Sequence, residues 1–376
     1  LRKEKTGKKT IIAVAGCVAQ AEGDQIMKRS PWVDIVVGPQ SYQNLPELIS
    51  KVDPIEKNKL ISIDFPVIPK FDQLKSKITQ RGPSAFLTIQ EGCDKFCSFC
   101  VVPYTRGSEY SRSIYSIIDE AKKLIDAGVK EITLLGQNVN AWSSKGKDGK
   151  VWRLGSLIKE LAKINELQFI RYTTSHPLDM DLELIEAHRD IEKLMPYLHL
   201  PLQSGSDNIL KLMNRKHKVD DYLKIIEKVR NYIPNIAISG DFIIGFPGET
   251  DKDHDATIKI IKEVKFSQAY SFKYSVRPGT PAAVFFNQVD EQIKSSRLQE
   301  VQNILREQQF EFNKKSINSV IKVLILKNGK KVNQYLGRSP QNQSVYFNHE
   351  KENLIGSIIN VKVSEAFQNS ISGSIV

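Results

Sequence analysis

The chain has 376 residues, 54 Lys and Arg against 43 Asp and Glu for a net charge of +11, and only four cysteines. At roughly 100–200 residues per domain, this length predicts two or three domains with cores of their own, which excludes a disordered chain and a small disulfide-stapled fold. No run of about 18 apolar residues occurs, since even Ile236 to Phe246 carries Ser239 and Asp241, so no membrane span is expected and a reducing cytoplasm fits best.

A basic start, Arg2 to Lys9, precedes TIIAVAGC. Val14-Ala15-Gly16-Cys17 looks like a lipoprotein cleavage box, but the apolar run Ile11 to Ala15 is shorter than the roughly 7–15 residues of a secretory segment. Residue 1 is Leu, so the sequence is expected to come from something longer. Residues 11–49 read strand (TIIAVAG), helix (VAQAEGDQIMKR), strand (VDIVVG) and short helix (LPELIS), a partial βαβ domain placed at 1–56. The polar, Lys- and Pro-bearing stretch from Lys51 to Arg81 reads as connecting chain, with the linker at 57–80.

From Ala85 strands and helices alternate. The strands are FLTIQ, EITLLG, FIRYTT, YLHLPL, IAISGDFIIG and AYSFKYS, with helices between them and a long polar helix from about Glu291 to Asn313. Six strand–helix units in a row argue for an α/β fold with a parallel, partial (β/α)6 barrel at 81–312. Residues 313–376 change character, with nine Lys and Arg against three acids and strand-like alternation (VIKVLIL, SVYF, IINVKV) broken by turn signals such as Asn328-Gly329. A small, basic all-β barrel follows, and Lys and Arg on such a module suit a polyanion because contacts to phosphates release counterions.

Parallel α/β barrels do chemistry at the carboxyl ends of their strands. Those ends carry Cys93-x-x-x-Cys97-x-x-Cys100, Gln137-Asn138, Ser175-His176-Pro177, Gln203-Ser204-Gly205, Asp241 with Gly245-Phe246-Pro247-Gly248, and Arg277-Pro278-Gly279-Thr280. Turn and helix-capping chemistry accounts for Ser206-Asp207 and Glu249-Thr250-Asp251, but not for three cysteines. Structural zinc closes with four protein ligands, and no fourth Cys or His lies near. Three thiolates and one open position favour an iron–sulfur cluster with a free iron, zinc being the alternative on spacing alone.

With Phe99 before its last cysteine, this loop resembles the signature of radical S-adenosylmethionine enzymes. GCVAQ at Gly16 to Gln20, VVGPQ at Val36 to Gln40 and TIQEGCDKFCSFCVVPYTRG at Thr88 to Gly107 resemble its methylthiotransferase branch. So do LLGQNVNAW at Leu134 to Trp142, TSHP at Thr174 to Pro177, HLPLQSGSD at His199 to Asp207, DFIIGFPGET at Asp241 to Thr250 and RPGTPA at Arg277 to Ala282. Within the branch, GQNVN and VVGPQ are most similar to the bacterial enzymes that place a methylthio group on isopentenyl-adenosine beside the tRNA anticodon, and the basic tail is similar to their RNA-holding TRAM domain.

The resemblance implies that Cys93, Cys97 and Cys100 hold a 4Fe-4S cluster whose open iron chelates S-adenosylmethionine. Reductive cleavage then gives a 5′-deoxyadenosyl radical that takes the hydrogen from the adenine carbon between the two pyrimidine-ring nitrogens. Phe99 would pack on the cofactor's adenine, with Gln137, Asn138, Ser175, Gln203, Ser204 and Asp241 placed to hydrogen-bond its polar parts, although fixing the strand-end turns is an equal reading for these six. A low-potential electron donor, a sulfur source and tRNA are the implied partners of a protein expected to act as a monomer.

Cys17 opens a helix, where the helix dipole favours a thiolate, or else it is a small buried residue. The resemblance makes it one of three ligands of a second, sulfur-donating 4Fe-4S cluster, the other two lying ahead of it. No cysteine stands between Leu1 and Gly16, so the chain is expected to bind S-adenosylmethionine without inserting sulfur. Modification of a ribosomal protein or of threonylcarbamoyl-adenosine, and a non-catalytic RNA-binding remnant, are the alternatives.

Overall fold

The computed structural model describes residues 10–52, 58–65, 82–147, 149–350 and 353–376. The basic start at 2–9, residues 66–80 of the predicted linker and the Lys351-Glu352 pair lie outside the described residues. The backbone falls into two compact units, Leu1–Lys77 with Gly92–Glu109 and Arg277–Ala283 in one, and Ile78–Glu91, Tyr110–Val276 and Val284–Val376 in the other.

The first unit is built on a three-stranded parallel sheet, β1 (Ala13–Ala15), β2 (Ile35–Val37) and β3 (Leu60–Ser62), with β2 central and its three residues fully buried. Helices α1 (Cys17–Glu22), α2 (Asp24–Arg29) and α3 (Leu45–Lys51) complete it. One helix was expected over residues 18–29, but the chain breaks at Gly23, whose φ of 49° and ψ of −121° form a conformation open mainly to glycine. The third strand falls within the stretch read as linker. Leu-Ile-Ser is too short for an alternation signal, and hydrogen bonds to β2 recruit it, Leu60 N donating to Asp34 O and Gly38 N to Ser62 O. The cysteine loop, with helix α4 (Val102–Arg106), belongs to this unit.

The second unit contains the six parallel strands. They are β4 (Ser84–Thr88), β7 (Glu131–Leu135), β10 (Phe169–Tyr172), β11 (Tyr197–His199), β12 (Ala237–Ile244) and β13 (Gln268–Lys273). They pair as two three-stranded parallel sheets, β4-β7-β10 and β11-β12-β13, which a parallel bridge between Ile170 and Leu194 joins in chain order. That is the open (β/α)6 barrel expected from the alternation. Two short antiparallel ribbons decorate it, β5 (Gln90–Glu91) with β6 (Tyr110–Ser111) and β8 (Ser143–Lys145) with β9 (Val151–Arg153), neither long enough to have been read from pattern.

Helices α5 (Ile114–Asp126), α6 (Leu154–Ala162), α7 (Leu182–Asp190), α8 (Asp207–Leu212), α9 (Val219–Tyr232) and α10 (Asp251–Val264) bury apolar stripes against one face of the strands. Leu87, Ile132, Leu134, Ile170 and Phe242 supply the strand side of that core. Alternate strand residues therefore point the other way, among them Glu131, Arg171, His199, Ser239 and Asp241, as the period of two requires. The long helix α11 (Glu291–Lys314) matches its expected limits to within a residue.

The tail is a closed five-stranded barrel in the order β14 (Val320–Asn328), β15 (Gln334–Arg338), β16 (Ser344–Asn348), β18 (Ser370–Ile375) and β17 (Ile358–Ala366). Val323, Ile325, Val345, Phe347, Val361, Val363 and Ile371 fill it. A buried ionic node fastens it to the larger barrel. Glu131 accepts from Arg171 Nε at 2.6 Å and from Arg338 Nη1 at 2.7 Å, while Arg171 donates to the carbonyls of Ser339 and Pro340.

Candidate active site

The cysteine loop is pinned at several points. Gly92, at a φ of 76°, lies so close to the 107–108 backbone that a Cβ would overlap the Ser108 carbonyl, and Cys93 N donates to Gly107 O at 3.3 Å. Cys100 N donates to Cys97 O at 2.9 Å, closing a turn that carries Phe99. The RPGTPA motif braces the far side: Ala282 N donates to Ser98 O at 2.9 Å, from a turn that Thr280 holds by donating through N and Oγ1 to Arg277 O. In chain order it follows β13 (Gln268–Lys273), the strand end at which it was expected. Cys93, Cys97 and Cys100 are half-buried and form no disulfide, and burial pushes the Cys93 thiol above its ordinary range, with neighbouring Cys97 and Glu109 adding to the rise.

Two motifs that the sequence separates by 20 residues meet beside Cys17. The glycine of VVGPQ, Gly38, has room for no Cβ because the Gln20 side chain of GCVAQ lies against it, held by donation from Nε2 to Ile63 O. Gln40 Nε2 donates to Arg106 O at 2.7 Å, and Arg106 Nε donates to Cys17 Sγ at 3.3 Å. Arg106, at the end of α4, thus links the segment after the three cysteines to the fourth. Sequence reading did not single it out, although it stands in the TRG of the cysteine motif.

In the barrel unit the strand-end motifs interlock. Gln90 Oε1, fully buried on β5, accepts from the backbone N–H groups of Gln137 at 2.8 Å and Asn138 at 3.1 Å. Asn140 clasps His176, accepting from its N–H and donating to its carbonyl, so GQNVN and TSHP hold each other. Asn138 donates through Nδ2 to Asp179 at 2.8 Å, while its buried Oδ1, like the buried Ser175 hydroxyl, meets no partner among the described residues. Gln203 sits at a φ of 81° and bridges to Phe242 across β12, with its side chain half-exposed. Asp241 Oδ2 lies 3.4 Å from His199 Nε2, whose Nδ1 meets Ser239 Oγ at 3.0 Å. Burial and the Asp241 charge push the Tyr270 hydroxyl upward.

Ser204 makes contacts of the turn-fixing kind that was the equal reading for it. Its side chain is almost wholly buried, meets Thr257 Oγ1 and accepts from Ser206 N, so it is spent on the turn rather than offered to a ligand. Beside His176 lies His217, not singled out in the sequence, whose two buried ring nitrogens meet no partner among the described residues and whose pKa burial lowers to about 4.

The donor sets suit the groups expected of them: three cysteines outside any disulfide on one braced loop, and in the barrel unit buried acceptors at Asn138 and Ser175 with no partner among the described residues, beside half-exposed polar groups at Gln137, Gln203 and Asp241. The sequence profile of the Radical SAM superfamily matches residues 87–261. A tRNA-2-methylthio-N(6)-dimethylallyladenosine synthase of Bartonella bacilliformis is 54% identical over 99% of this chain and 82% of its own length. Its counterpart from Rickettsia felis is 53% identical over 100% and 84%. The chain belongs to this family of radical S-adenosylmethionine enzymes. Coproporphyrinogen III oxidase from Escherichia coli, a radical SAM enzyme of solved structure, aligns over 70% of this chain and 68% of its own at 14% identity and a TM-score of 0.45. Radical SAM enzymes of this family use a 4Fe-4S cluster with S-adenosylmethionine, which makes the thiol loop and the strand-end polar groups the residues to ask about first.

Proposed function

We propose that this radical SAM enzyme adds a methylthio group to the adenine ring of N6-dimethylallyl-adenosine in tRNA, in the cytoplasm and as a monomer. The observation that carries the reading is the braced loop that brings Cys93, Cys97 and Cys100 together without a disulfide, in a chain 53–54% identical to named synthases of that product. These three cysteines would ligate the cluster, and Cys17 would be one of the three ligands of a second, sulfur-donating cluster. When bound, the first cluster with S-adenosylmethionine supplies the one-electron cleavage that generates the hydrogen-abstracting radical.

The chain's own residues bind and orient. Phe99 offers a ring to the cofactor's adenine, and Gln137, Asn138, Ser175, Gln203 and Asp241 offer hydrogen bonds to its polar groups. The unsatisfied Asn138 Oδ1 and Ser175 Oγ gain most from a ligand, because a buried polar atom without a partner costs about 1–3 kcal/mol. Residues 1–56, 81–312 and 313–376 take the roles of amino-terminal, catalytic and RNA-holding domains. No helix among the described residues is long and apolar enough to cross a membrane. The reading calls for a low-potential electron donor and a sulfur source from outside the chain.

Anaerobic reconstitution with iron and sulfide tests it. Wild type with S-adenosylmethionine and a strong reductant is expected to release 5′-deoxyadenosine, and Cys97→Ala to lose both that product and the iron bound at the loop. Release of 5′-deoxyadenosine at the wild-type rate by Cys97→Ala would refute the assignment.

A further inference from the structure

The seam between the two barrels carries a cleft that the site above does not use. It has a volume of about 530 Å³, and Arg230, Lys265 and Lys315 line it with Asn235, Ser267 and Gln341. No carboxylate lines it. Two surface clefts of similar size differ in this respect: that between α5 and α6, about 450 Å³, sets Asp126, Glu160 and Glu166 beside Lys122 and Lys163, and that along α9, about 520 Å³, sets Asp220, Glu227 and Glu263 beside its cations.

The three cations arrive at the carboxyl ends of three helices, Arg230 on the last turn of α9, Lys265 capping α10 and Lys315 capping α11. Cations there soothe the helix dipole, and Arg230 does so directly by donating to Val264 O. Lys265 and Lys315 are exposed and make no ion pair or side-chain hydrogen bond among the described residues, so their charges face the cleft unneutralised. The walls are fixed relative to one another. Gln341 Nε2 donates across the seam to Asn235 O at 3.0 Å, and Phe169, Met195 and Leu324 pack together where the barrels meet, beside the Glu131 node. Walls fixed in this way, with no acid among the lining residues, spare an anion the cost of shaping the cleft and of displacing a carboxylate. It also extends the positive surface of the tail, which carries nine Lys and Arg against three acids, onto the catalytic barrel.

We infer that this seam cleft binds a backbone phosphate of the tRNA substrate, with Lys265 and Lys315 as its charged ligands. The inference rests on the tRNA reading above and adds a contact shared by both barrels.

Binding of tRNA to the full chain, followed by fluorescence anisotropy between 50 and 200 mM KCl, tests it. Lys265→Gln/Lys315→Gln is expected to lower the slope of log affinity against log salt by about 2, so that the loss of affinity over that range becomes about 16-fold smaller. Lys265→Arg/Lys315→Arg should restore the wild-type slope. Lys122→Gln/Lys163→Gln removes the same charge from the mixed-sign cleft between α5 and α6 and should leave the slope alone. An unchanged slope in the seam variant, or an equal fall in the α5–α6 control, overturns the cleft while leaving the tRNA reading intact. A wild-type chain with no salt-dependent affinity for tRNA overturns both.

Discussion

Replacing Glu131 by Gln should be among the most damaging single changes in the barrel unit, although the residue lies on the first turn of no helix and touches no candidate ligand. Its carboxylate is fully buried and takes three donors: Arg171 Nε at 2.6 Å, Arg338 Nη1 at 2.7 Å and Ser84 Oγ at 2.9 Å. Burial alone would push this carboxyl upward, yet Arg171 and Arg338 outweigh it and hold the group below the usual carboxylate range. Glu131→Gln keeps the shape but leaves Arg171, itself 4% exposed, without its counter-charge. Breaking a buried pair in this way costs about 3–5 kcal/mol. For a unit of this size that corresponds to roughly 2 °C per kcal/mol, a fall of about 6–10 °C in Tm. Arg338→Met should cost less, about 1–2 kcal/mol, because Arg338 is 30% exposed and Arg171 still satisfies the carboxylate. Glu131→Gln/Arg171→Met should cost less than the two single changes together, since neither charge is then stranded. The pH dependence follows from the lowered carboxyl. Its contribution is complete above the unfolded value of about 4.3 and is lost as pH falls through the folded value, so Glu131→Gln should lack that part of the acid limb. Urea unfolding of the full chain at pH 7 and between pH 3 and 5 reads all of this. A Glu131→Gln cost under about 1 kcal/mol, or strict additivity with Arg171→Met, would refute the reasoning.

Three further outcomes are expected. Gly205→Ala should destabilise by about 1–3 kcal/mol in urea melts, because a Cβ there would lie 2.5 Å from Thr257 Cα in the backbone of α10, which cannot yield as a side-chain tip can. His188, fully buried against the Tyr172 hydroxyl, has its pKa lowered by burial to about 3; folding therefore weakens as pH falls from about 6.5, the unfolded value, towards 3, and His188→Gln should flatten that slope in acid titrations. Arg106→Met should leave iron bound by Cys93, Cys97 and Cys100 unchanged while altering the spectroscopic signature of any iron held at Cys17, since it removes the N–H donated to that sulfur; identical spectra would exclude a role for Arg106 there.

What the sequence made legible was whatever repeats or is punctuated. Six strand–helix units emerged from periodicity, and the limits of α11 from the long polar run over Glu291 to Asn313. The strand-end motifs were found because polar residues interrupt apolar strands, but their division of labour was not. Ser204 and Ser175 read alike in sequence, each a small hydroxyl just beyond a strand. In the fold one hydroxyl is met by Thr257 and Ser206, and the other is buried with no partner. Part of the difference lies in Thr257, 53 positions from Ser204 and beyond the reach of any local pattern.

Charge inside the barrel was illegible for a stronger reason. In EITLLG and FIRYTT, Glu131 and Arg171 look like residues on a solvated face, and Arg338 looks like one more cation of an RNA-holding tail. Their pairing spans 40 and 207 positions and depends on β7 and β10 running side by side with Glu131 opposite Phe169, which places Arg171 within reach of its carboxylate. A net charge for the tail of +6 therefore overstates what it offers to RNA, because Arg338 is committed to Glu131. Lys322 adds little to a correction of this kind, lying 3.8 Å from Glu192 with both side chains more than half exposed. The cations left for a polyanion are those with no acid opposite them, and Lys315 at the seam is one of these. Charge counted along a chain measures how strongly a module attracts RNA at a distance; only the pairing in the fold says which cations remain to bind it.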